Sequence, residues 1–169
     1  HAFGTKYKNK NVGGFGDVVS FSFDGIKNIT SGDGGCIVTD DKTLLRKIND
    51  ARLLGVEKDT EKRFTGKRSW DFDVNAQGWR YHMSNIMAAL GNEQLKRINE
   101  ISLLRQSIAM LYDELLKDIK YIKTIKHNYS DVVPHIYVII LESNEICENV
   151  KRTLADNGIE TGVHYKPNH

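Results

Sequence analysis

The sequence has little cysteine and no long apolar run, and these two shortages limit where the protein can work. Its two cysteines, Cys36 and Cys147, lie in apolar runs without C-x-x-C spacing, so we expect buried free thiols rather than a disulfide. The longest purely apolar run, around Tyr137–Leu141, is too short to cross a bilayer, and no signal-peptide pattern opens the chain. We therefore expect a cytoplasmic protein without a membrane partner.

An excess of charge of one sign is also missing. With 24 basic and 22 acidic residues the formal net charge is +2, too close to neutral to predict nucleic-acid binding. The densest basic stretches, Lys6–Lys10 and Lys58–Arg68, favour solvated loops over binding patches. His127, His135 and His169 have no metal-ligand spacing, and neither H-E-x-x-H nor G-x-S-x-G occurs. The sequence therefore predicts no metal site.

The first part of the chain has the pattern of two strands and a helix. Asp17–Phe23 and Cys36–Thr39 are rich in β-branched and aromatic residues, and the glycine-rich turn at 31–35 suggests that they are neighbours in a sheet. Asp40 or Asp41 can cap a following helix. Residues 55–69 are rich in charge and predict a surface loop, and Trp70–Val74 predicts an extended segment.

Long helices and then a different pattern follow. Ser84 is a candidate N-cap, and apolar residues recur every three or four positions from Asn85 to Ile119, with a kink expected near Gly91 or Arg97. The last part predicts a β-β-α-β unit, made of strands at Ile122–Ile125 and His135–Leu141, a helix at Asn144–Asn157 stopped by Gly158, and a strand at Ile159–Tyr165. We therefore expect two domains, residues 1–115 and residues 116–169.

Lys27 is the residue with the clearest chemical potential. It follows a buried strand at the start of a loop that glycines constrain, a position where burial can lower the pKa of an amine and make it nucleophilic. Ser22, five residues upstream, can donate a hydrogen bond to a phosphate. From these residues alone, an ordinary surface lysine beside an ordinary glycine turn remains the alternative.

The stretch Ser22–Gly35, with the pattern Ser-Phe-x-x-x-Lys-Asn-Ile-Thr-x-Gly-Asp-Gly-Gly, is similar to the cofactor-lysine motif of the DegT/DnrJ/EryC1/StrS sugar aminotransferases. These enzymes depend on pyridoxal 5′-phosphate (PLP). Further blocks resemble the family in the same order, at His1–Gly4, Gly14–Asp17, Gly78–Asn85 and Thr161–Pro167. The chain thus resembles the carboxy-terminal portion of such an enzyme, and we expect it to be incomplete at both ends.

The resemblance implies an α/β fold, the PLP-dependent transferase fold of type I, which is also that of aspartate aminotransferase. The chain would supply late strands of a mixed, mostly parallel sheet in the large domain, and the start of a small α+β domain. The implied reaction is amino transfer from an amino acid, with glutamate as the expected donor, to a nucleotide-linked keto-deoxysugar for polysaccharide or glycosylated-metabolite synthesis. The implied assembly is a homodimer, or a pairing with a complementary chain that supplies the missing amino-terminal half.

Two alternatives remain open beside this reaction. One is a truncated, non-catalytic fragment that acts only by association, since the isolated chain would lack part of the cofactor site. The other is a PLP enzyme of the same fold with different chemistry.

The resemblance also implies roles for cofactor-site residues. Lys27 matches the lysine that bonds covalently to PLP and then moves protons as general base and acid. Ser22 matches the serine that contacts the cofactor phosphate, and His1 matches a position beside the pyridine ring. Asn28 follows the lysine as in the family, but no contact is assigned to it.

Four more residues lie in other blocks that resemble the family. Arg80 stands where the family commonly has an asparagine, in a loop that reaches across a dimer interface to the cofactor phosphate of the partner. Either a phosphate contact or a solvent-facing side chain is compatible with arginine. His82 replaces a common arginine, and a structural role is favoured. His164 and Tyr165 lie in a block that approaches the substrate in the family, and they are candidate substrate-binding residues.

Overall fold

A computed structural model describes residues 1–57, 65–66, 72–74 and 76–165. The chain divides into two compact units, one of His1–Gln106 with Tyr129–His135 and the other of Ser107–Asn128 with Ile136–His169. Most of the loop predicted at 55–69, and the start of the extended segment predicted at 70–74, lie outside the described residues. Val74, at the end of that segment, forms one antiparallel bridge with Val56.

The strands of the first unit form two antiparallel pairs. They are β1 (Lys6–Tyr7), β2 (Lys10–Asn11), β3 (Val19–Ser22) and β4 (Gly35–Val38). Strand β3 pairs with β4 in a register that places Ser22 opposite Gly35, so the predicted neighbours are confirmed. The mostly parallel pairing expected for the sheet is not found among the named strands of the described residues. The connection from β3 to β4 contains no crossover helix of the kind that joins parallel neighbours.

Helices of the first unit begin at side-chain caps that the sequence predicts. Helix α1 (Lys42–Ala51) begins after Asp41, whose carboxylate accepts from the N–H groups of Thr43 and Leu44 at 2.7 and 3.0 Å. Helix α2 (Asn85–Lys96) begins after Ser84, whose Oγ accepts from the N–H of Met87 at 3.3 Å. These contacts satisfy N–H groups that have no partner inside the helix.

A break at Arg97 separates α2 from the longer helix α3 (Ile98–Leu116), which confirms one of the two kink positions that the sequence offered. None of the helices in the described part of the chain is long and apolar enough to cross a membrane.

The second unit contains strands β5 (Ile122–Thr124) and β6 (Ile139–Leu141), which pair antiparallel, and helix α4 (Asn144–Asp156). Gly158 follows α4 with φ +76°, a conformation typical of a glycine helix stop. The strand predicted at Ile159–Tyr165 is wrong, because this segment is exposed and pairs with no strand in the described residues. A strand requires a neighbour for its backbone N–H and C=O groups, and alternation of side chains alone does not supply one.

The most buried residues of the first unit lie in and around the loop after β3. Asn28, Ile29 and Ser31 are 2%, 3% and 1% exposed, and Val133 is 4% exposed. Two of these four are polar, which is unusual for a core and requires hydrogen-bond partners. The fold therefore places its best-packed region beside Lys27.

Candidate active site around Lys27

The loop that carries Lys27 is closed at its base by backbone hydrogen bonds. The N–H of Phe23 donates to the carbonyl of Gly34 at 2.8 Å, and the N–H of Ser31 donates to the carbonyl of Phe23 at 2.9 Å. Inside the loop, the N–H of Lys27 donates to the carbonyl of Asp24 at 3.0 Å and forms a tight turn. Lys27 is half-buried, so its amine extends from a short loop with a fixed base.

Two glycines are required where this loop returns to β4. Gly34 has φ +116°, and a Cβ there would lie 2.6 Å from Cε of Met83. A Cβ on Gly35 would lie 2.3 Å from the carbonyl oxygen of Phe21 on the facing strand. The glycines of the motif therefore serve backbone geometry and the close approach of two strands.

Asn28 holds the loop against two other segments of the first unit. Its Nδ2 lies 3.3 Å from the carbonyl oxygen of His1 and 3.2 Å from those of Phe3 and Val133, so its two hydrogens are shared among three acceptors. The amide is therefore a buried anchor, although the sequence assigned no contact to Asn28. Nothing in the sequence near Asn28 indicates these partners, since they are 25 to 105 residues away.

Arg105 on α3 anchors the loop from another side. Its Nη1 donates to the carbonyls of His135 at 3.1 Å and Pro134 at 3.4 Å, and its Nη2 donates to the carbonyl of Lys27 at 3.4 Å. Sequence reasoning missed this role. The available signal was a charged residue in a helix whose apolar stripe reaches position 104 or 105.

His1 lies close to the same anchors. Its ring stacks on the ring of His135 with centroids 4.4 Å apart and an interplanar angle of 19°. Its carbonyl accepts from Asn28, the residue after Lys27. The structure thus brings two predicted site residues, His1 and Lys27, to one region through Asn28.

Ser22 ends strand β3 and is exposed. Its Oγ accepts from the N–H of Asp24 at 3.4 Å. Among the described residues no acceptor for the hydroxyl hydrogen of Ser22 is recorded, so this hydrogen can be donated to a ligand oxygen.

The other predicted site residues are not joined to Lys27 by any recorded contact of the described residues. Arg80 is exposed, and its backbone forms a bridge with Leu53. His82 is half-buried, and its Nδ1 is buried without a hydrogen-bond partner in the described part of the chain. His164 and Tyr165 belong to the second unit, where both are exposed and their rings meet edge to face at 4.8 Å.

The two cysteines are free thiols, as the sequence predicts, although both are half-buried rather than buried. Burial raises the pKa of Cys36 above its ordinary value, which keeps this thiol protonated and weakly nucleophilic. In residues 1–57, 65–66, 72–74 and 76–165, no group of three or more His, Cys, Asp or Glu side chains is arranged to hold a metal ion.

The residues around Lys27 fit a PLP group in three respects. A lysine amine extends from a loop with a fixed base, a serine hydroxyl has a hydrogen to donate, and a stacked imidazole lies beside the loop. A pyridine aldehyde with a phosphate arm requires a primary amine that can bond to its aldehyde carbon, a hydrogen-bond donor for its phosphate, and a flat ring near its pyridine.

Known proteins share this arrangement of sequence and fold. A UDP-4-amino-4,6-dideoxy-N-acetyl-beta-L-altrosamine transaminase of Campylobacter jejuni is 36% identical over 99% of the chain, which covers 43% of that protein. The solved structure of Helicobacter pylori PseC, an aminotransferase involved in the biosynthesis of pseudoaminic acid, superposes with a TM-score of 0.86 at 33% identity, over 99% of this chain and 44% of that one. The putative sugar aminotransferase Spr1654 of Streptococcus pneumoniae, in its PLP form, gives a TM-score of 0.82 at 30% identity, over 99% of this chain and 42% of that one.

The chain therefore spans less than half the length of the relatives it matches. The expected PLP-dependent transferase fold of type I is confirmed, because these structural likenesses extend over nearly every residue of the chain. The family model of the DegT/DnrJ/EryC1/StrS aminotransferases matches residues 1–169, and the chain belongs to this family of PLP-dependent enzymes.

Proposed function

We propose that the full-length protein carrying this sequence transfers an amino group from an amino acid to the keto group of a nucleotide-linked deoxysugar, with PLP as cofactor. The observation that carries the proposal is the anchored Lys27 loop, with Ser22 at its base and His1 beside it. The activity of the Campylobacter relative, a transaminase of a UDP-linked dideoxy sugar, supports the substrate class. Glutamate is the amino donor we expect.

Bound PLP supplies an electron sink that stabilises negative charge on the carbon next to the reacting nitrogen. Lys27 would hold this cofactor covalently through Nζ. When not bonded, Nζ would accept a proton from the substrate carbon and give it back, as general base and acid. The half-buried position limits the water that competes for this proton.

The remaining residues bind and orient the reactants in this proposal. The hydroxyl of Ser22 would donate to a phosphate oxygen of the cofactor, and His1 would lie near the pyridine ring. Arg80 is a second candidate for the phosphate, and His164 and Tyr165 are candidates for the sugar substrate. Residues 1–115 then belong to the large cofactor-binding domain and residues 116–169 to the small domain, in a cytoplasmic homodimer.

The decisive experiment locates the cofactor chemically. The protein is mixed with PLP and reduced with borohydride, and the modified peptide is identified by mass spectrometry. We expect the adduct on Lys27, its loss in Lys27→Ala, and no change in Lys6→Ala, which removes an exposed lysine of the β1–β2 hairpin. An adduct spread over exposed lysines and unaffected by Lys27→Ala contradicts the proposed site.

A second measurement tests the reaction. We expect glutamate to be consumed, and 2-oxoglutarate formed, in equal amounts with amination of a UDP-linked 4-keto-6-deoxy-N-acetylhexosamine. Trapping of PLP on Lys27 without transfer to any nucleotide-linked keto sugar would instead favour a PLP enzyme of the same fold with different chemistry.

A further inference from the structure

We infer that Asn28 and Arg105 are positioning residues that fix the main chain of Lys27, an inference that rests on the proposed function of Lys27. They bond to carbonyls of the Lys27 loop itself or of the segments against which it packs. Their effect on the reaction is exerted through Lys27.

The orientation of the Asn28 amide is decided by its surroundings. Three carbonyl oxygens lie 3.2–3.3 Å from Nδ2. If the amide were rotated by 180°, its oxygen would lie against these three carbonyl oxygens with no hydrogen between them. Its Oδ1 is buried without a partner in the described part of the chain, a state that costs free energy. An apolar side chain would avoid that cost, so the three carbonyl contacts are the evident benefit of an asparagine at this position.

Arg105 completes the anchoring from the helix side. Its guanidinium joins the carbonyl of Lys27 to those of Pro134 and His135, with charge-assisted hydrogen bonds. A planar fork can span several carbonyls, whereas the single ammonium of a lysine is a compact point charge on a flexible stem. Arg105 therefore has a geometric task that Arg105→Lys would not fulfil.

Both anchors converge on one short segment. Asn28 bonds to the carbonyl of Val133, and Arg105 bonds to the two carbonyls that follow it. The segment Val133–His135 is thus tied to the residue after Lys27 and to the carbonyl of Lys27. Both anchor points lie within one residue of the Cα of Lys27, so the freedom of the amine is confined to its own side chain.

Fixing this Cα matters because an amine that moves protons must meet one carbon of the bound reactant. A displacement of about 1 Å can lower the rate of such a step by about 100-fold. A merely structural role for the anchors would lower stability and leave the reactivity of Lys27 as it is. The two roles are therefore separable by measurement.

Gln106 provides a matched control. It is the neighbour of Arg105 on α3, and its Nε2 donates to the carbonyl of Val132 at 3.2 Å, so it also anchors the segment before Val133–His135. No contact recorded among the described residues joins Gln106 to the Lys27 loop. Gln106→Met removes a neighbouring side-chain anchor of the same helix without touching Lys27.

The test compares Asn28→Ala, Arg105→Lys and Gln106→Met in the full-length protein. The rate at which an amine-specific acylating reagent labels Lys27 is measured at one pH without cofactor, with Lys6 as internal reference. The thermal midpoint of each variant is measured as well. The steady-state kcat and KM are measured with cofactor. We expect Asn28→Ala and Arg105→Lys to change the rate of labelling of Lys27 but not of Lys6, and to lower kcat about 10- to 100-fold with little change in KM.

Gln106→Met is expected to lower the thermal midpoint only. Wild-type labelling and kcat in the Asn28 and Arg105 variants, with a loss of stability like that of Gln106→Met, would overturn the inference. If Asn28→Ala does not fold, Arg105→Lys decides by the same readouts. Failure of the proposed function is distinct, since wild-type Lys27 would then take up no PLP while the cofactor-free labelling still reports on the anchors.

Discussion

Gly35→Ala is a direct test of the strand pair that supports the Lys27 loop. Gly35 pairs with Ser22 across β3 and β4, and a Cβ at this position would lie 2.3 Å from the carbonyl oxygen of Phe21. Real Cβ atoms essentially never approach another atom closer than 3.0 Å. The atom in the way belongs to the backbone, so no side-chain rotation can remove the clash, and the strands must separate.

The expected cost follows from this geometry. Overpacking costs about 1–3 kcal/mol and the loss of a ladder hydrogen bond adds about 1 kcal/mol, so we expect Gly35→Ala to lower the free energy of unfolding by about 2–4 kcal/mol. The backbone φ of Gly35 is not in the positive range. The cost is therefore steric, and it should not be attributed to conformational strain.

Gly25→Ala is the matched control in the same loop. Gly25 also lacks a positive φ, and the nearest atom to an added Cβ is the carbonyl oxygen of Gly32 at 4.0 Å. Alanine there restricts the unfolded chain and is expected to be neutral or to stabilise by about 0.4–1 kcal/mol. Urea unfolding of the two variants and the wild type measures both effects. Stabilities of the two variants within about 0.5 kcal/mol of each other would refute the reasoning from strand contact.

Three further changes have defined outcomes in the same unfolding assay. Ser84→Ala removes the side-chain oxygen that accepts from the N–H of Met87 at the start of α2 and should cost about 1 kcal/mol; wild-type stability would contradict the cap. Ile29→Ala empties a site that is 3% exposed and should cost about 2–5 kcal/mol, whereas Ile29→Val should cost about 0.5–1.5 kcal/mol; equal losses would contradict close packing there. Backbone hydrogen bonds lower the pKa of Asp41 below 3.8, so its contribution to stability is present above that value and is lost as the pH falls through the lowered pKa. Asp41→Asn keeps a capping oxygen but does not titrate, and it should remove that part of the pH dependence of the urea midpoint.

Local features of the fold were predictable from the sequence. The caps at Asp41 and Ser84, and the stop at Gly158, depend on contacts or backbone angles within a few residues. The break at Arg97 was one of two positions predicted for a kink. The strand predicted at Ile159–Tyr165 was wrong because its alternating pattern says nothing about whether a neighbour exists to bond with it.

Some features of the candidate site were likewise predictable from the sequence, and others depend on contacts between distant residues. The motif that contains Ser22 and Lys27 is contiguous, and its glycines meet a steric requirement on the facing strand. The sequence by itself therefore determined which family the chain belongs to and made Lys27 the candidate for the reactive amine. Only the tertiary structure decided what holds that lysine. The bond from Arg105 to Lys27 spans 78 residues, and the bond from Asn28 to Val133 spans 105. Partners so far apart leave no local pattern, because backbone carbonyls are the acceptors and every residue type has one.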